Sequence, residues 1–288
     1  MKSPFTLILP MVDFSVVCCI SKPEIFDQCL LKSVYTQRGN LDVEIIPIIN
    51  NTNLYSASLA LNVGLNVSRS NNVILAHQDV MLLDGWFERL ARYIEQAEKW
   101  AIIGAAGISL DFSRADIGKW GGALYRDTVA VGTVWNDDDL EVPPYWDGIK
   151  PLTRVHCVDE CVFVLNKSAN LRFDPHFNGF HFYGSDICLQ ARFAGYNVYA
   201  ADLPIIHFGR YSASMLGESR YWYFMRLLHA KWCKSFPEFL GTHMHWAKDG
   251  LTSYIPSSLE AQDGTQITIK SMGIKEARLS TDKDRSVE

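Results

Sequence analysis

The sequence predicts a doubly wound α/β fold, in which helices cover both faces of a mixed, mainly parallel sheet. Short runs of β-branched and aromatic residues alternate along the chain with segments whose apolar residues recur at helical spacing. A strand–helix order that repeats in this way is typical of a parallel sheet with crossover helices. The chain has 288 residues, and 48% of them are hydrophobic. That content suffices for one substantial core but not for two large domains.

Three predicted strands and two predicted helices form the first part of the chain. The strands are the apolar runs Phe14–Ile20, Val43–Ile49 and Asn72–Ala76. Ser21 can cap the first helix and Glu24 completes a capping box, and apolar residues follow at helical spacing. The second helix is predicted from about Ser56 to Val67. In a parallel sheet, the carboxyl ends of these three strands would lie along one edge.

The rest of the chain adds strands and helices around a long irregular region. We predict strands over Trp100–Ala106, Val155–Leu165, Val198–Ala201 and Ile205–Ile206, and helices over Trp86–Gln96, Ser185–Ala194 and Ser219–Cys233. The irregular region, Asp111–Pro151, is rich in Gly, Asp and aromatic residues, and such segments are usually functional or mobile. We predict one folded domain over residues 1–248 and a poorly ordered tail over residues 249–288, because the tail is polar and has little apolar surface to bury.

Charge, hydropathy and cysteine usage exclude several classes of function. The formal net charge of -5 and the pI of about 5.9 leave no basic footprint for nucleic acid. Met1–Pro10 lacks the pattern of a signal peptide, and apolar runs such as Ala101–Ala106 are shorter than the roughly 20 residues that cross a bilayer. No transmembrane segment is expected, and peripheral association with a membrane stays open. Seven cysteines without a C-x-x-C pair indicate reduced thiols and a cytoplasmic location.

A polar cluster directly follows the third predicted strand. His77, Gln78 and Asp79 come after Asn72–Ala76, before an apolar step and an Asp-Gly turn. In open α/β sheets, ligands bind in the crevice beyond the carboxyl ends of the strands. The Asp79 carboxylate is a hard oxygen ligand of the kind that Mg²⁺ and Mn²⁺ prefer. The cluster is therefore a candidate ligand site, although a solvated turn is an equally good interpretation of these residues alone.

The segment Asn71–Trp86, N-N-V-I-L-A-H-Q-D-V-M-L-L-D-G-W, resembles the Asp-x-Asp region of family 2 glycosyltransferases with the GT-A fold. That region commonly reads L-D-D-D-V. Here His77 replaces the first carboxylate and Asp79 matches the last, and a branch of family 2-like proteins carries H-Q-D-V itself. The resemblance extends from about Phe14 to Gly209. It includes A-x-N-x-G around Asn62, an acidic helix motif within Phe180–Tyr196, and an isolated His207.

This resemblance implies a reaction and a set of site residues. The reaction is transfer of a hexose-type sugar from a nucleotide diphosphate sugar, with a UDP-sugar favoured, to a hydroxyl of a glycan or lipid-linked acceptor, with inversion. Asp79 and His207 would hold Mn²⁺ or Mg²⁺, and His77 would lie beside the nucleotide ribose. The residues implied for donor binding are Ser21, Asn50, Asn62, His77, Gln78, Asp79 and Trp120. Trp120 stands beside two glycines and offers an aromatic face for stacking on a sugar.

The catalytic base is the point at which the sequence departs most from the family. The usual Glu-Asp pair of the acidic helix falls at Tyr183 and Gly184, and Asp186 is a carboxylate two residues further on. Asp159 and Glu160 are rivals, because carboxylates in an otherwise apolar strand are costly to bury without a use. Alternation along that strand would point only one of them into the site. We favour Asp186, then Glu160.

Two other functions remain compatible with the sequence. One is a degenerate GT-A domain that binds nucleotide sugar without catalysis, which the missing Glu-Asp pair favours. The other is a sugar-nucleotide pyrophosphorylase, although the Gly-rich phosphate loop of that class is missing after Phe14–Ile20. The G-x-G-x-x-G motif of dinucleotide-binding proteins and the phosphate-binding motif of P-loop proteins are also missing, which disfavours these two classes of protein.

Overall fold

The fold is known from a computed structural model. It describes residues 11–110, 119–120, 123–124, 128–136, 140–141, 144, 146–148, 150–208, 219–242, 244–247, 250–253, 259–260, 266–267 and 272–273. The first strands are β1 (Phe14–Ile20), β2 (Val43–Ile49), β3 (Asn72–Ala76), β4 (Val80–Leu82), β5 (Trp100–Gly104), β6 (Ala106–Leu110), β7 (Lys119–Trp120), β8 (Ala123–Leu124), β9 (Thr128–Trp135) and β10 (Trp146–Asp147). Further along are β11 (Thr153–Arg154), β12 (Cys157–Val158), β13 (Val162–Asn166), β14 (Asn197–Ala200), β15 (Ile205–His207), β16 (Phe239–Leu240), β17 (Met244–Ala247), β18 (Gly250–Ser253), β19 (Leu259–Glu260), β20 (Gln266–Ile267) and β21 (Met272–Gly273).

Helices connect most of the early strands. A π-helical turn over Asp27–Leu31 joins the first two helices into one continuous helical segment. The α-helices are α1 (Pro23–Phe26), α2 (Lys32–Gln37), α3 (Ala57–Val67), α4 (Trp86–Gln96), α5 (Tyr183–Phe193) and α6 (Ser219–Trp232). No helix in the described ranges is long and apolar enough to cross a bilayer.

A seven-stranded mixed sheet forms the centre of the fold. Its strand order is β11–β14–β5–β13–β3–β1–β2. Strand β1 pairs in parallel with β2 and β3, and β14 pairs in parallel with β5. Strand β13 lies antiparallel between β3 and β5, and β11 is an antiparallel edge strand. The carboxyl ends of β1, β2 and β3 therefore lie along one edge, as the sequence predicts.

Alternate side chains of β1 enter two separate cores, one on each face of this sheet. Val16 packs with Val34 of α2 and Leu90 of α4. Val17 packs on the opposite face with α3 and α5. A side chain on Gly64 would collide with Val17, so α3 can approach β1 this closely only with glycine at that position. Helices thus cover both faces, which confirms the predicted doubly wound α/β architecture.

The predicted strand Val155–Leu165 is wrong as one continuous element. The chain forms β12 and β13 instead, and a turn at Glu160 and Cys161 separates them. Strand β13 belongs to the central sheet, whereas β12 joins a second sheet through β6. Asp159 and Glu160 therefore lie where the chain passes from one sheet to the other. Their expected alternation along a single strand does not apply.

The start of the first helix also differs from the prediction. Lys22 is the residue before α1, and its side chain makes no capping hydrogen bond. The Oε1 atom of Gln78 instead accepts hydrogen bonds from the backbone N–H groups of Ser21 and Lys22, each at 2.9 Å. Gln78 Nε2 donates to Ser21 Oγ at 3.0 Å. Two backbone donors just before α1 are therefore satisfied from the end of a neighbouring strand.

The C-terminal part is described only in short pieces. Strand β18 pairs antiparallel with β17, and β18 pairs with β21. The domain boundary predicted at residue 248 falls within the β17–β18 hairpin. Residues 274–288 lie outside the described ranges. The division into a folded domain and a polar tail stays a prediction.

Candidate active site

A cavity of about 690 Å³ opens at the carboxyl ends of β1, β2 and β3. This size suits a small-molecule ligand. Ser21, Asn50 and the cluster His77, Gln78 and Asp79 line it, so five of the predicted donor-binding residues meet there. Other residues that line it include Glu160, Asn178, Phe180, Tyr183 and Arg220. The cavity lies where ligands bind in open α/β sheets.

Three potential metal ligands meet at this edge of the sheet. His77, Asp79 and His207 each offer one ligand atom, and these three atoms lie within 4.8 Å of one another. His207 Nε2 is 3.4 Å from His77 Nδ1 and 3.5 Å from Asp79 Oδ1. Two ligands on one ion, with bonds of roughly 2.0–2.2 Å, are separated by about 3–3.5 Å. These residues therefore fit a single divalent ion.

Backbone pairing fixes the relative positions of the three side chains. Strand β15 pairs antiparallel with β4, with His207 opposite Val80. The Phe208 N–H donates to the Asp79 carbonyl at 3.0 Å, which extends this ladder by one residue. The His77 N–H donates to the Cys161 carbonyl at 2.8 Å. The site is thus built on paired strand ends, which hold ligands more rigidly than a free loop would.

Burial and neighbouring charges set the protonation of this cluster. Burial, together with the nearby His207, lowers the pKa of His77 to about 4. Burial also disfavours the Asp79 carboxylate, but the hydrogen bond and charge of His207 and the charge of His77 outweigh it and lower the Asp79 pKa to about 2. At neutral pH, His77 is therefore a neutral imidazole and Asp79 an anion. These are the forms that bind a metal ion.

Asn50, one of the predicted donor-binding residues, uses its side chain to bond the loop that follows β2. Its Nδ2 donates to the Tyr55 carbonyl at 2.8 Å, and its Oδ1 accepts from the Tyr55 N–H at 2.9 Å. Asn50 is buried, with 1% exposure. These two bonds close the loop after β2 and bring Tyr55 to the cavity wall. Asn50 therefore shapes the wall that a nucleotide would meet.

Asn62 is not among the described residues that line the cavity. Asn62 bonds the backbone of Phe173, donating to its carbonyl at 2.8 Å and accepting from its N–H at 3.0 Å. That pair ties α3 to the segment before α5. Trp120 belongs to β7, which pairs with β10. Its side chain lies outside the described residues, so stacking on a sugar stays a prediction.

Asp186 lies behind the cavity wall rather than in it. It is 1% exposed, and its carboxylate accepts hydrogen bonds from Trp232 Nε1 at 2.7 Å and Gln190 Nε2 at 2.8 Å. Lys231 Nζ is 2.8 Å from the same carboxylate. Asp186 thus joins α5 to α6, and its oxygens already have partners. This arrangement explains a carboxylate in the first turn of α5 without a catalytic role.

Glu160 has the opposite environment. It lines the cavity, and its Oε2 atom is buried without a hydrogen-bond partner among the described residues. An ideal Cβ on Gly184 would lie 3.0 Å from Glu160 Cγ, so glycine there leaves room for this side chain. Burial and the charges of Asp159 and Cys157 raise the Glu160 pKa well above its usual value. Asp159 does not line the cavity, and its Oδ1 accepts from the Cys161 N–H at 3.0 Å.

Tyr183 and Arg220 line the cavity but were not predicted as site residues. The Tyr183 hydroxyl lies 2.9 Å from His77 Nε2, but the two residues are 106 positions apart and no local pattern connects them. Arg220 is an exposed residue in the first turn of α6 and the one Lys or Arg among the described residues that line the cavity. No local sequence pattern marks Arg220 as a cavity residue.

Comparison with solved structures defines the class of this fold. The chain is similar to the crystal structure of GalNAc-T7 with UDP, GalNAc and Mn²⁺, with a TM-score of 0.52 and 10% sequence identity. The similarity covers 77% of this chain and 48% of that one. At this identity the likeness concerns the fold alone, which is the GT-A fold of glycosyltransferases.

Sequence comparison identifies the family. Residues 15–219 match the glycosyltransferase-like family, and the chain belongs to it. The resemblance to family 2-like glycosyltransferases is thereby confirmed. A curated relative from Fuscovulum blasticum, described as ATP synthase subunits region ORF 6, is 30% identical over 173 residues. That match covers 54% of this chain and 63% of the relative, so the chain spans less than two thirds of the relative's length.

Proposed function

We propose that this glycosyltransferase moves a hexose-type sugar from a nucleotide diphosphate sugar, most readily a UDP-sugar, to a hydroxyl of a glycan or lipid-linked acceptor. One observation carries the proposal: a His–Asp–His cluster that fits one divalent ion adjoins a cavity of about 690 Å³ at the strand ends. Two members of the cluster, His77 and Asp79, also line that cavity. A ligand in the cavity could therefore contact an ion held by the cluster.

His77, Asp79 and His207 would hold Mn²⁺ or Mg²⁺. This assignment adds His77 to the metal ligands expected from the sequence, where it was placed beside the ribose. Three protein ligands leave positions for diphosphate oxygens on an ion that takes about six ligands. A divalent ion bound there would neutralise negative charge on the leaving diphosphate. The neutral state of His77 and the ionised state of Asp79 at neutral pH support this role.

Arg220 supplies charge that the metal ligands cannot. A nucleotide diphosphate sugar carries two negative charges on its diphosphate, whereas a divalent ion with the Asp79 carboxylate has one net positive charge. The remaining negative charge needs a further cation in the cavity wall. Arg220 lines the cavity and can bond phosphate oxygens through its guanidinium group. We assign it to the diphosphate.

Glu160 is our candidate for the catalytic base. Its Oε2 atom, which has no partner among the described residues, and its place in the cavity wall support this role, and the raised pKa makes its carboxylate form a stronger proton acceptor. Glu160 would take the proton of the acceptor hydroxyl as that oxygen bonds to the anomeric carbon. The bond from the anomeric carbon to the diphosphate oxygen breaks, and nucleoside diphosphate leaves. Direct attack of this kind inverts the anomeric configuration.

A binding-only domain is the second candidate function. The observation that favours it is the absence of the family's carboxylate pair at Tyr183 and Gly184. Both proposals predict donor binding, but only the first predicts turnover.

The cytoplasmic location also remains our proposal. All seven cysteines are free thiols, which supports a reducing compartment.

A two-stage experiment tests the proposed function. Melting temperatures are first measured with UDP-, GDP- and dTDP-sugars, each with and without Mn²⁺. We expect a UDP-sugar with Mn²⁺ to give the largest rise, because ligands that bind only the folded state stabilise it. Donor hydrolysis is then measured with that sugar nucleotide. Stabilisation without hydrolysis or transfer would support the binding-only domain, and no stabilisation by any donor would contradict both proposals.

A further inference from the structure

We propose that Tyr183 is a positioning residue for metal binding, which acts by orienting the His77 ring through its hydroxyl. The inference rests on the proposed metal site and goes beyond it, because Tyr183 itself is not a metal ligand. The observation that carries it is the 2.9 Å distance between the Tyr183 hydroxyl and His77 Nε2, while His77 Nδ1 faces His207. The two nitrogens of one ring thus face the tyrosine and the metal cluster separately.

The chemistry of the imidazole ring determines the direction of this hydrogen bond. A neutral imidazole carries one proton, and a metal ion can bind only the nitrogen without it. If His77 binds the ion through Nδ1, its proton is on Nε2 and must be donated to an acceptor. The Tyr183 oxygen is the acceptor within reach. With the ion on Nδ1, the tyrosine oxygen thereby stabilises the tautomer that the ion requires.

Tyr183 is held firmly enough for this role. It is 4% exposed, and its ring meets Phe173 edge-on at a centroid distance of 5.9 Å. It is the first residue of α5, and Phe182 before it adopts the left-handed conformation with φ of 62°. Such a backbone is uncommon for a large residue and persists only where packing enforces it. Phe182 is buried and packs on Tyr221 at 5.0 Å, which supplies that packing.

Loss of the hydroxyl would leave the Nε2 proton of His77 without an acceptor. Groups that orient metal-binding histidines in this way typically contribute about 10–100-fold in metal affinity. Tyr183→Phe removes only the hydroxyl and keeps the ring against Phe173. We therefore expect the variant to fold normally and to bind Mn²⁺ about 10–100-fold more weakly, as measured by calorimetry on the full chain without donor.

Tyr199→Phe is the matched control. Tyr199 is also a buried tyrosine, and its hydroxyl donates to the Glu98 carbonyl at 3.2 Å, away from the cavity. We expect this control to bind Mn²⁺ as the wild type does. Equal loss of affinity in both variants would indicate a general effect of removing a buried hydroxyl, and would overturn the inference.

A double-mutant cycle separates positioning of His77 from any other effect. The affinities of wild type, Tyr183→Phe, His77→Ala and the double variant are compared, with Zn²⁺ as the probe because its tighter binding keeps weak variants measurable. We expect Tyr183→Phe to have no further effect once His77 is absent. The same loss in both backgrounds, or unchanged affinity in the single variant, would overturn the inference. A wild-type chain that binds neither ion would instead contradict the proposed metal site.

Discussion

Glu160→Gln is the substitution that most directly tests the catalytic assignment. The amide keeps the size of the side chain and removes its capacity to accept a proton. General base catalysis contributes about 10²–10⁴-fold to a rate, or roughly 3–5.5 kcal/mol of barrier. We expect turnover to fall by about this factor, with donor affinity little changed, because Glu160 faces the acceptor in this mechanism. Initial rates at saturating donor and calorimetry of UDP binding measure the two quantities.

Glu160→Gln should lower turnover, but it should raise the stability of the folded chain at high pH. The Glu160 pKa is raised in the folded chain, so the folded state holds its proton at pH values at which the unfolded state has lost it. Stability therefore falls as the pH rises from the unfolded pKa to the folded one. Each tenfold change in that protonation equilibrium is about 1.4 kcal/mol. Glu160→Gln removes this loss. The stability of the variant relative to wild type should therefore be higher at pH 8 than at pH 4.

A surface carboxylate provides the control for both measurements. Glu95 is exposed on α4, away from the cavity, and Glu95→Gln should change neither turnover nor the pH dependence of unfolding. Urea unfolding between pH 4 and pH 8 measures the stability of the three proteins. Retention of most turnover by Glu160→Gln, together with its loss in Asp186→Asn, would refute the reasoning and make Asp186 the base.

Three further substitutions follow from the site. Asp186→Asn should lower the free energy of unfolding in urea by about 1.5–3 kcal/mol, because it weakens buried hydrogen bonds to a charged group. The turnover of the protein that remains folded should be near normal. Arg220→Gln should weaken UDP binding by roughly tenfold or more in calorimetry, while uridine binding stays unchanged. The control Arg226→Gln, on the same helix, should change the binding of neither ligand. Equal losses of affinity for UDP and uridine in Arg220→Gln would contradict a diphosphate role. Gly184→Ala should lower turnover by about tenfold or more without unfolding the chain, because its methyl group would crowd Glu160; full activity would show that Glu160 needs no such room.

The fold could be predicted closely where burial makes the sequence pattern plain. Strands β1, β2 and β3 have the predicted bounds because each is a short apolar run with polar residues at its carboxyl end. The break between β12 and β13 was not predicted. Cys157–Val158 and Val162–Leu165 are all buried, and they belong to different sheets. The carboxylates Asp159 and Glu160 between them were the one local sign of a break, and the sequence analysis interpreted them as possible site residues within a single strand.

The site was predicted in part, for a similar reason. Asp79 and His207 were expected from family resemblance, and strand pairing does bring them together. The role of Asn50 depends on backbone groups of Tyr55 in the next loop, and the role of Asp186 depends on α6 residues that are distant in the sequence. The metal-binding role that we propose for His77 rests on the contact between its ring and His207. Such contacts follow from tertiary packing, which a sequence pattern does not specify.

The central claim is that the His77–Asp79–His207 cluster binds nucleoside diphosphate through a divalent ion. Calorimetry of UDP binding with Mn²⁺, and again with a chelator, tests it in wild type and in Asp79→Asn. Asp84→Asn is the control, since Asp84 is an exposed carboxylate outside the cavity. We predict that UDP binds tightly only with Mn²⁺, and that Asp79→Asn abolishes this dependence while Asp84→Asn preserves it. Equal UDP affinity with and without the ion, or unchanged binding in Asp79→Asn, would contradict the account.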